Sequence, residues 1–84
     1  MSQADKLRER MRQSKSGWGN EDLHKLYTGF GFTCRRGAKH DLYAHPIQKH
    51  LRATVSRSRD LPTGYIETAL QLLDELERNA LEGD

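Results

Sequence analysis

The 84-residue sequence has a single cysteine, Cys34, and lacks any apolar run of the roughly 18 residues that a membrane-spanning helix needs. One cysteine cannot form an intrachain disulfide, which fits a reducing compartment. Residues 1–16 have no apolar core and so do not have the form of a secretory signal. We therefore expect a cytoplasmic protein without a membrane partner.

Metal-binding patterns are scarce as well. The four histidines have no spacing such as His-x-x-x-His, and one cysteine cannot supply a CxxC pair. No metal site and no cofactor are therefore predicted. The length, with 31% charged and 35% hydrophobic residues, indicates one small folded domain rather than a chain that is disordered throughout.

Charge is unevenly distributed along the chain, although the net charge is only +2. Residues 35–59 contain seven Lys or Arg against one acid, Asp41, whereas residues 60–84 contain seven acids against Arg78. A basic middle and an acidic end are typical of a protein with one anion-binding face. The same distribution also fits ordinary solvated surfaces, so charge alone does not assign a nucleic-acid ligand.

The spacing of apolar residues predicts two helices and three strands. Asn20 is expected to cap the first helix and Gly31 to end it, while Thr63 is placed to cap the second. Gly37 lies in a tight turn between the first two strands. The predicted ranges are a helix over 20–30, strands over 32–36, 39–45 and 51–57, and a helix over 65–79.

The two faces of the second strand have different expected surroundings. Leu42 and Ala44 share one face, which we expect to point to the core, and Asp41 and Tyr43 share the other. The pattern predicts an α+β fold, a two-layer α-β-β-β-α domain with a three-stranded antiparallel sheet and both helices on one face. The predicted parts are a polar N-terminal extension over 1–16 that is disordered or a frayed helix, a folded domain over 17–80, and a tail over 81–84.

One short stretch combines residues suited to chemistry on an anion. His40 follows the turn at Gly37 and has Arg35, Arg36 and Lys39 as neighbours. Imidazole titrates near neutral pH and cations hold phosphate, so this set suits a phosphodiester. His40 also has the strand parity of the residues expected in the core, so a packed core histidine is the competing interpretation.

The chain resembles the HicA toxins of bacterial toxin–antitoxin pairs over residues 17–76. The most specific feature is Gly-x-x-His on the first hairpin, followed by Tyr and then by His-Pro. Lys39 stands where the commoner motif has serine, and Val55-Ser56-Arg57 stands where the family usually has Val-Pro-Arg. The segments that carry the resemblance are Gly29-Phe30-Gly31-Phe32, Arg35-Arg36-Gly37-Ala38-Lys39-His40-Asp41-Leu42-Tyr43, His45-Pro46, Thr54-Val55 and the terminal helix.

The resemblance implies a double-stranded-RNA-binding-domain-like fold and a metal-independent endoribonuclease that cuts mRNA, arrests growth and is neutralised by a HicB-like antitoxin protein. By residue matching, His40 would be the catalytic general acid or base. Cations would hold the phosphate and stabilise the transition state. The predicted RNA- and phosphate-binding residues are Arg35, Arg36, Lys39, Arg52, Arg57 and Arg59, the last three with a solvated strand and loop as an equal alternative.

The second proton carrier stays open among Lys39, Tyr43, His45 and water. Two other functions fit the same residues. A non-catalytic RNA-binding module would bind RNA in a salt-dependent way without cutting it, and an interaction protein would only dock another chain. The low aromatic content, 7%, favours recognition of RNA shape and backbone over base-specific readout.

Overall fold

The computed structural model of the chain describes residues 2–82. It is an α+β domain in which helices cover one face of a three-stranded antiparallel sheet. The elements in chain order are α1 (Gln3–Gln13), α2 (Asn20–Gly29), β1 (Thr33–Arg36), β2 (His40–Ala44), β3 (Arg52–Ser56) and α3 (Thr63–Glu82). The predicted α-β-β-β-α order is confirmed from α2 to α3, and α1 precedes it. Within residues 2–82, no helix has the length and apolar character that crossing a membrane requires.

The sheet has the order β1-β2-β3, so β2 is central and pairs with both neighbours. Antiparallel pairing sets Arg35 opposite Leu42 and His40 opposite Ser56. Residues that oppose each other across a pair lie on the same face of the sheet. The register thus defines an open face, which carries Thr33, Arg35, His40, Leu42, Ala44, Arg52, Thr54 and Ser56. The covered face carries Cys34, Arg36, Asp41, Tyr43, Ala53 and Val55.

The expected orientation of β2 is wrong. Tyr43 is 1% exposed and Asp41 is fully buried, whereas Leu42 is 48% exposed. Tyr43 turns inward because its ring stacks on Tyr27 in the core, with the ring centroids 4.7 Å apart. Assigning strand faces by hydrophobicity fails here because a leucine lies on the open face and an acid in the core.

Helices α2 and α3 supply most of the core that packs on the covered face. Their apolar residues recur at helical spacing, so each helix presents one continuous stripe to the sheet. Burial of such apolar surface is the main source of stability, at about 25 cal/mol per Å². The buried core comprises Met11, Leu23, Leu26, Tyr27, Phe32, Tyr43, Leu51, Val55, Leu61, Ile66, Ala69, Leu70 and Leu73.

Helix α2 begins differently from the prediction, because Gly19 is the N-cap and Asn20 is the first helical residue. The Gly19 N–H donates to the Asp22 carboxylate at 2.9 Å. A Cβ at Gly19 would lie 2.3 Å from the carbonyl oxygen of Arg59, so only glycine permits this close approach. The Asn20 side chain is therefore not used as a cap and reaches Asp41 in the sheet instead.

Residues 3–13 form a docked helix where the sequence predicted a frayed helix or a disordered extension. Ser2 caps it through a reciprocal pair of hydrogen bonds with Asp5, at 3.1 Å and 3.3 Å. Met11 is fully buried in the common core. Ala4 packs so closely on α2 that a Cβ at Gly29 would lie 2.5 Å from the Ala4 Cβ. Helix α1 is thus an integral part of the packing.

Ion pairs also join α1 to α3. Arg8 is 5% exposed, and its guanidinium lies 2.5 Å from the Asp74 carboxylate and 2.8 Å from that of Glu77. Arg12 donates a further hydrogen bond to Asp74 at 2.8 Å. These contacts span more than 60 positions of sequence, so no local pattern could indicate them.

The C-terminal end of α2 lies close to the predicted position, whereas that of α3 lies later in the chain. Gly31 follows α2 with φ of +91°, a left-handed conformation that favours glycine, which confirms it as the stop. Helix α3 begins at Thr63 and continues to Glu82, three residues beyond the predicted end. The predicted tail over 81–84 therefore starts inside the helix, and its last two residues lie outside the described residues.

Candidate functional site

His40 is exposed at the beginning of β2, on the open face of the sheet. Its strand parity with Leu42 is as predicted, but that face points to solvent rather than to the core. Among residues 2–82, its imidazole has no hydrogen-bond partner and no ion-pair partner. The ring is therefore accessible to a molecule that approaches the sheet from outside.

The turn between β1 and β2 holds His40 at this edge. Gly37 donates its N–H to the carbonyl oxygen of His40 at 3.0 Å. A Cβ at Gly37 would lie 2.5 Å from that same oxygen, so the tight turn predicted at Gly37 requires glycine. Lys39 is exposed in the turn and directly precedes the histidine.

Two predicted phosphate-binding arginines share the open face with His40. Arg35 opposes Leu42, which makes it a diagonal neighbour of His40, and such pairs have separations of about 7–8 Å. Arg52 opposes Ala44, four residues along β2 from His40, or about 13 Å at strand spacing. Both arginines are exposed. Arg35 and His40 are therefore close enough to contact one anion, and Arg52 lies farther along the same face.

The other predicted cations lie elsewhere. Arg36 is on the covered face, where it pairs with Glu21 at 3.1 Å and approaches Asp41 at 3.8 Å. The Arg57 Nε lies 3.9 Å from Asp41. Arg59 is exposed in the segment that packs on the start of α2. The six predicted cations therefore do not form a single cluster.

Asp41 is a residue that sequence reasoning placed on the wrong face. It is fully buried, and one carboxylate oxygen accepts a hydrogen bond from the Asn20 side chain at 3.0 Å. Its other oxygen, Oδ1, has no hydrogen-bond partner within the described part of the chain. One feature of the sequence could have indicated that Asp41 is buried: it is the one acid among seven cations in residues 35–59. Such an acid is expected to pair within the fold.

Pairing within the fold decides which cations stay available. Arg36 and Arg57 are occupied near Asp41. The other five cations of residues 35–59 have no ion-pair partner among residues 2–82. They are Arg35, Lys39, Lys49, Arg52 and Arg59. Because Arg35, Lys39 and Arg52 lack an acidic partner within residues 2–82, the open face and its turn attract anions.

Two of the four candidates for the second proton carrier are not near His40. Tyr43 faces the core, and its hydroxyl lies 3.0 Å from His24 Nδ1. Burial raises the pKa of the Tyr43 hydroxyl far above its ordinary value. His45 follows the far end of β2, where its Nδ1 accepts hydrogen bonds from the backbone N–H groups of Ile47 and Gln48 at 3.2 Å and 3.0 Å. Lys39 and water remain.

A concave site lies away from His40. This cavity, of about 740 Å³, lies between α1 and α2 and includes Lys6, Arg10, Trp18 and Lys25 in its lining. His40 lies instead on an open strand surface, which suits a polymer better than a small molecule. Within the same residues, no three His, Cys, Asp or Glu side chains converge in a way that could hold a metal ion.

Comparison with protein-family profiles, curated proteins and solved structures yields no match for this chain.

Proposed function

We propose that the protein is a metal-independent endoribonuclease that cuts mRNA, with His40 on the open face as its general acid or base. The observation that supports this most directly is the accessible His40 beside Arg35 and Lys39, which are free of ion pairs within residues 2–82. RNA carries its own nucleophile, the 2′-OH, so cleavage needs proton transfer and charge stabilisation. Proton transfer from a positioned side chain is worth about 10²- to 10⁴-fold in rate.

The roles of the neighbouring residues follow from their positions. Arg35 would hold the scissile phosphate in a charge-assisted, bidentate contact and stabilise the added charge of the transition state. Lys39 or a water molecule would carry the second proton. Arg52 would hold an adjacent phosphate of the chain. Leu42, half exposed between these cations, would contact a sugar or a base.

The biological role we propose is that of a toxin related to the HicA proteins, which stops growth by destroying mRNA. A HicB-like antitoxin would neutralise it by covering the open face. The resemblance over residues 17–76 and the exposed hairpin histidine support this role together. In this role, the protein would meet its RNA substrate in the cytoplasm.

Induced expression in a bacterial host tests the proposal. Wild type should arrest growth and degrade mRNA, whereas His40→Ala should do neither. His50→Ala is the matched control, because His50 is also an exposed histidine but lies beside α3, 3.8 Å from Glu75, and should remain toxic. Equal growth and intact mRNA with folded wild type and folded His40→Ala would contradict the proposal.

Experiments with purified protein distinguish cleavage from the alternative function, a non-catalytic RNA-binding module. It predicts RNA affinity that falls with salt concentration, survives His40→Ala and is accompanied by no cleavage products. An unpaired basic surface supports RNA binding in either case. The exposed imidazole next to Arg35 is what favours cleavage over binding alone.

A further inference from the structure

Four residues form a polar cluster under the edge of the sheet that carries His40. This Asp41 cluster consists of Asn20, Arg36, Asp41 and Arg57. The buried Asp41 carboxylate accepts a hydrogen bond from Asn20 at 3.0 Å and has guanidinium nitrogens of Arg36 and Arg57 at 3.8 Å and 3.9 Å. The Asn20 amide also donates to the Ser56 carbonyl at 3.0 Å, so it joins α2 to β3 at this point.

Arg57 connects the Asp41 cluster to the turn that precedes His40. Its Nη1 donates to the Gly37 carbonyl oxygen at 2.9 Å, and its backbone N–H donates to the Lys39 carbonyl oxygen at 3.1 Å. Both ends of the three-residue turn are therefore held by one residue of the neighbouring segment. The turn itself buries no side chain, since residues 37–40 are all exposed.

An exposed turn without buried side chains has few contacts to fix it. Catalytic groups must be held within about 0.5 Å of their productive position, and a misplacement of about 1 Å can reduce the rate by about 10²-fold. Hydrogen bonds from a guanidinium are directional, and the orientation of that guanidinium must itself be fixed. Asp41 lies on the covered face and cannot contact RNA, but it is placed to orient Arg57.

We propose that Asp41 and Asn20 are positioning residues, which orient Arg57 so that its guanidinium clamps the 37–39 turn and presents His40 to the substrate. This inference rests on the proposed function of His40. It gives Arg57 a different role from the phosphate contact expected from the sequence. The two roles of Arg57 predict different kinetics.

Arg57→Gln separates these roles in single-turnover cleavage and equilibrium binding of a defined RNA. A clamp predicts a fall in the cleavage rate at saturating protein of about 10²-fold, with RNA affinity within about twofold of wild type and an unchanged salt dependence. A phosphate contact predicts weaker binding and a salt slope reduced by about one. Arg35→Gln on the open face should weaken binding and reduce the salt slope in that second way, and it should also lower the cleavage rate because Arg35 is placed to stabilise the transition state. Arg78→Gln, which removes a cation from α3, is the matched control and should change neither quantity.

A second variant tests the link from Asp41 to Arg57. Asp41→Asn keeps the size of the side chain and should lower the cleavage rate in the same way. Because both changes act through one clamp, the double variant should lie within about twofold of Arg57→Gln alone. If Asp41→Asn fails to fold, Asn20→Ser replaces it in the comparison with Arg57→Gln and the double variant, because it removes the amide that donates to Asp41.

Amide hydrogen exchange tests the clamp without any reference to RNA cleavage. The Gly37 N–H, bonded to the His40 carbonyl oxygen, should exchange at least about tenfold faster in Arg57→Gln than in wild type, since the turn then opens more often. The core amides of α3 should keep their protection. If wild type fails to cleave RNA but the Gly37 change occurs, the proposed function is wrong and the clamp stands. Unchanged Gly37 exchange, or weaker RNA binding at an unchanged cleavage rate, would overturn the clamp.

Discussion

The two faces of the sheet use their polar residues in opposite ways. On the covered face, Asp41 accepts a hydrogen bond from Asn20, Arg36 pairs with Glu21, and the Tyr43 hydroxyl lies within hydrogen-bond distance of His24. On the open face, His40 and Arg35 contact no charged partner within residues 2–82. Polar groups that are paired inside the fold contribute to stability, whereas exposed groups without a partner are available to a ligand. The difference locates the proposed activity on the open face.

Substitutions of two adjacent residues that lie on opposite faces test this difference with the largest expected effect. Tyr43→Ala should lower the free energy of unfolding by about 3–5 kcal/mol, because it leaves a large cavity beside Tyr27. Leu42→Ala should change it by at most about 0.5 kcal/mol, as is usual for surface positions. Urea denaturation at neutral pH measures both values. A larger effect from Leu42→Ala than from Tyr43→Ala would show that the faces are assigned the wrong way round.

Helix α1 packs on the same core as the covered face. Substitution of its buried methionine should have the next largest effect on stability. Met11→Ala should cost about 2–5 kcal/mol, since Met11 is fully buried in the common core. Met11→Leu conserves volume and should cost less than about 1.5 kcal/mol. Thermal unfolding of the two variants and wild type measures the difference. Equal stability of all three would mean that residues 3–13 are not docked in solution.

Acid should loosen the contact between α1 and α3 by a smaller amount. Hydrogen bonding from Arg8 lowers the pKa of the Glu77 carboxyl. Burial alone would raise the pKa of Asp74, but hydrogen bonds from Arg8 and Arg12 outweigh it and lower that pKa. Both carboxyls therefore have a lower pKa in the folded state than in the unfolded state. The stability that they contribute is fully present above the unfolded pKa, near pH 4, and is lost as the pH falls through the folded pKa values.

The size of this effect is limited by solvent. The Asp74 and Glu77 side chains are 56% and 54% exposed, so each pair contributes at most about 1 kcal/mol. The free energy of unfolding of wild type should decrease from pH 7 to pH 3. The decrease should be smaller in the double variant Asp74→Asn/Glu77→Gln, because that variant lacks the two titrating groups. An identical loss in both proteins would rule out these pairs as its source.

The sequence predicts the fold better than it predicts the site, and the reason lies in the range of the contacts. The helices and strands follow from apolar spacing within one element, which is why α2, α3 and the three strands are found where expected. The orientation of β2 depends on Tyr27 and Asn20, which lie outside the strand. From the sequence, an acid two residues before a tyrosine gave no reason to place both in the core.

The same limit explains the other differences. Helix α1 has only Leu7 and Met11 as apolar signal, and its docking uses Asp74 and Glu77 from the far end of the chain. The cations near His40 look equivalent in the sequence. Strand parity separates Arg35 from Arg36 and gives Arg57 the parity of Val55 on the covered face, and the position of Asp41 beside Arg57 appears only in the structure.

The most direct test of the account is cleavage of a defined RNA oligonucleotide by purified protein in the presence of a metal chelator. Wild type should cut the RNA, and His40→Ala should cut it at least about 10²-fold more slowly while unfolding at the same denaturant concentration, because His40 is exposed. Replacing the 2′-OH at the cleaved position by hydrogen should stop cleavage by wild type. Equal cleavage by wild type and His40→Ala, or none by well-folded wild type, would contradict the central role of the open-face histidine.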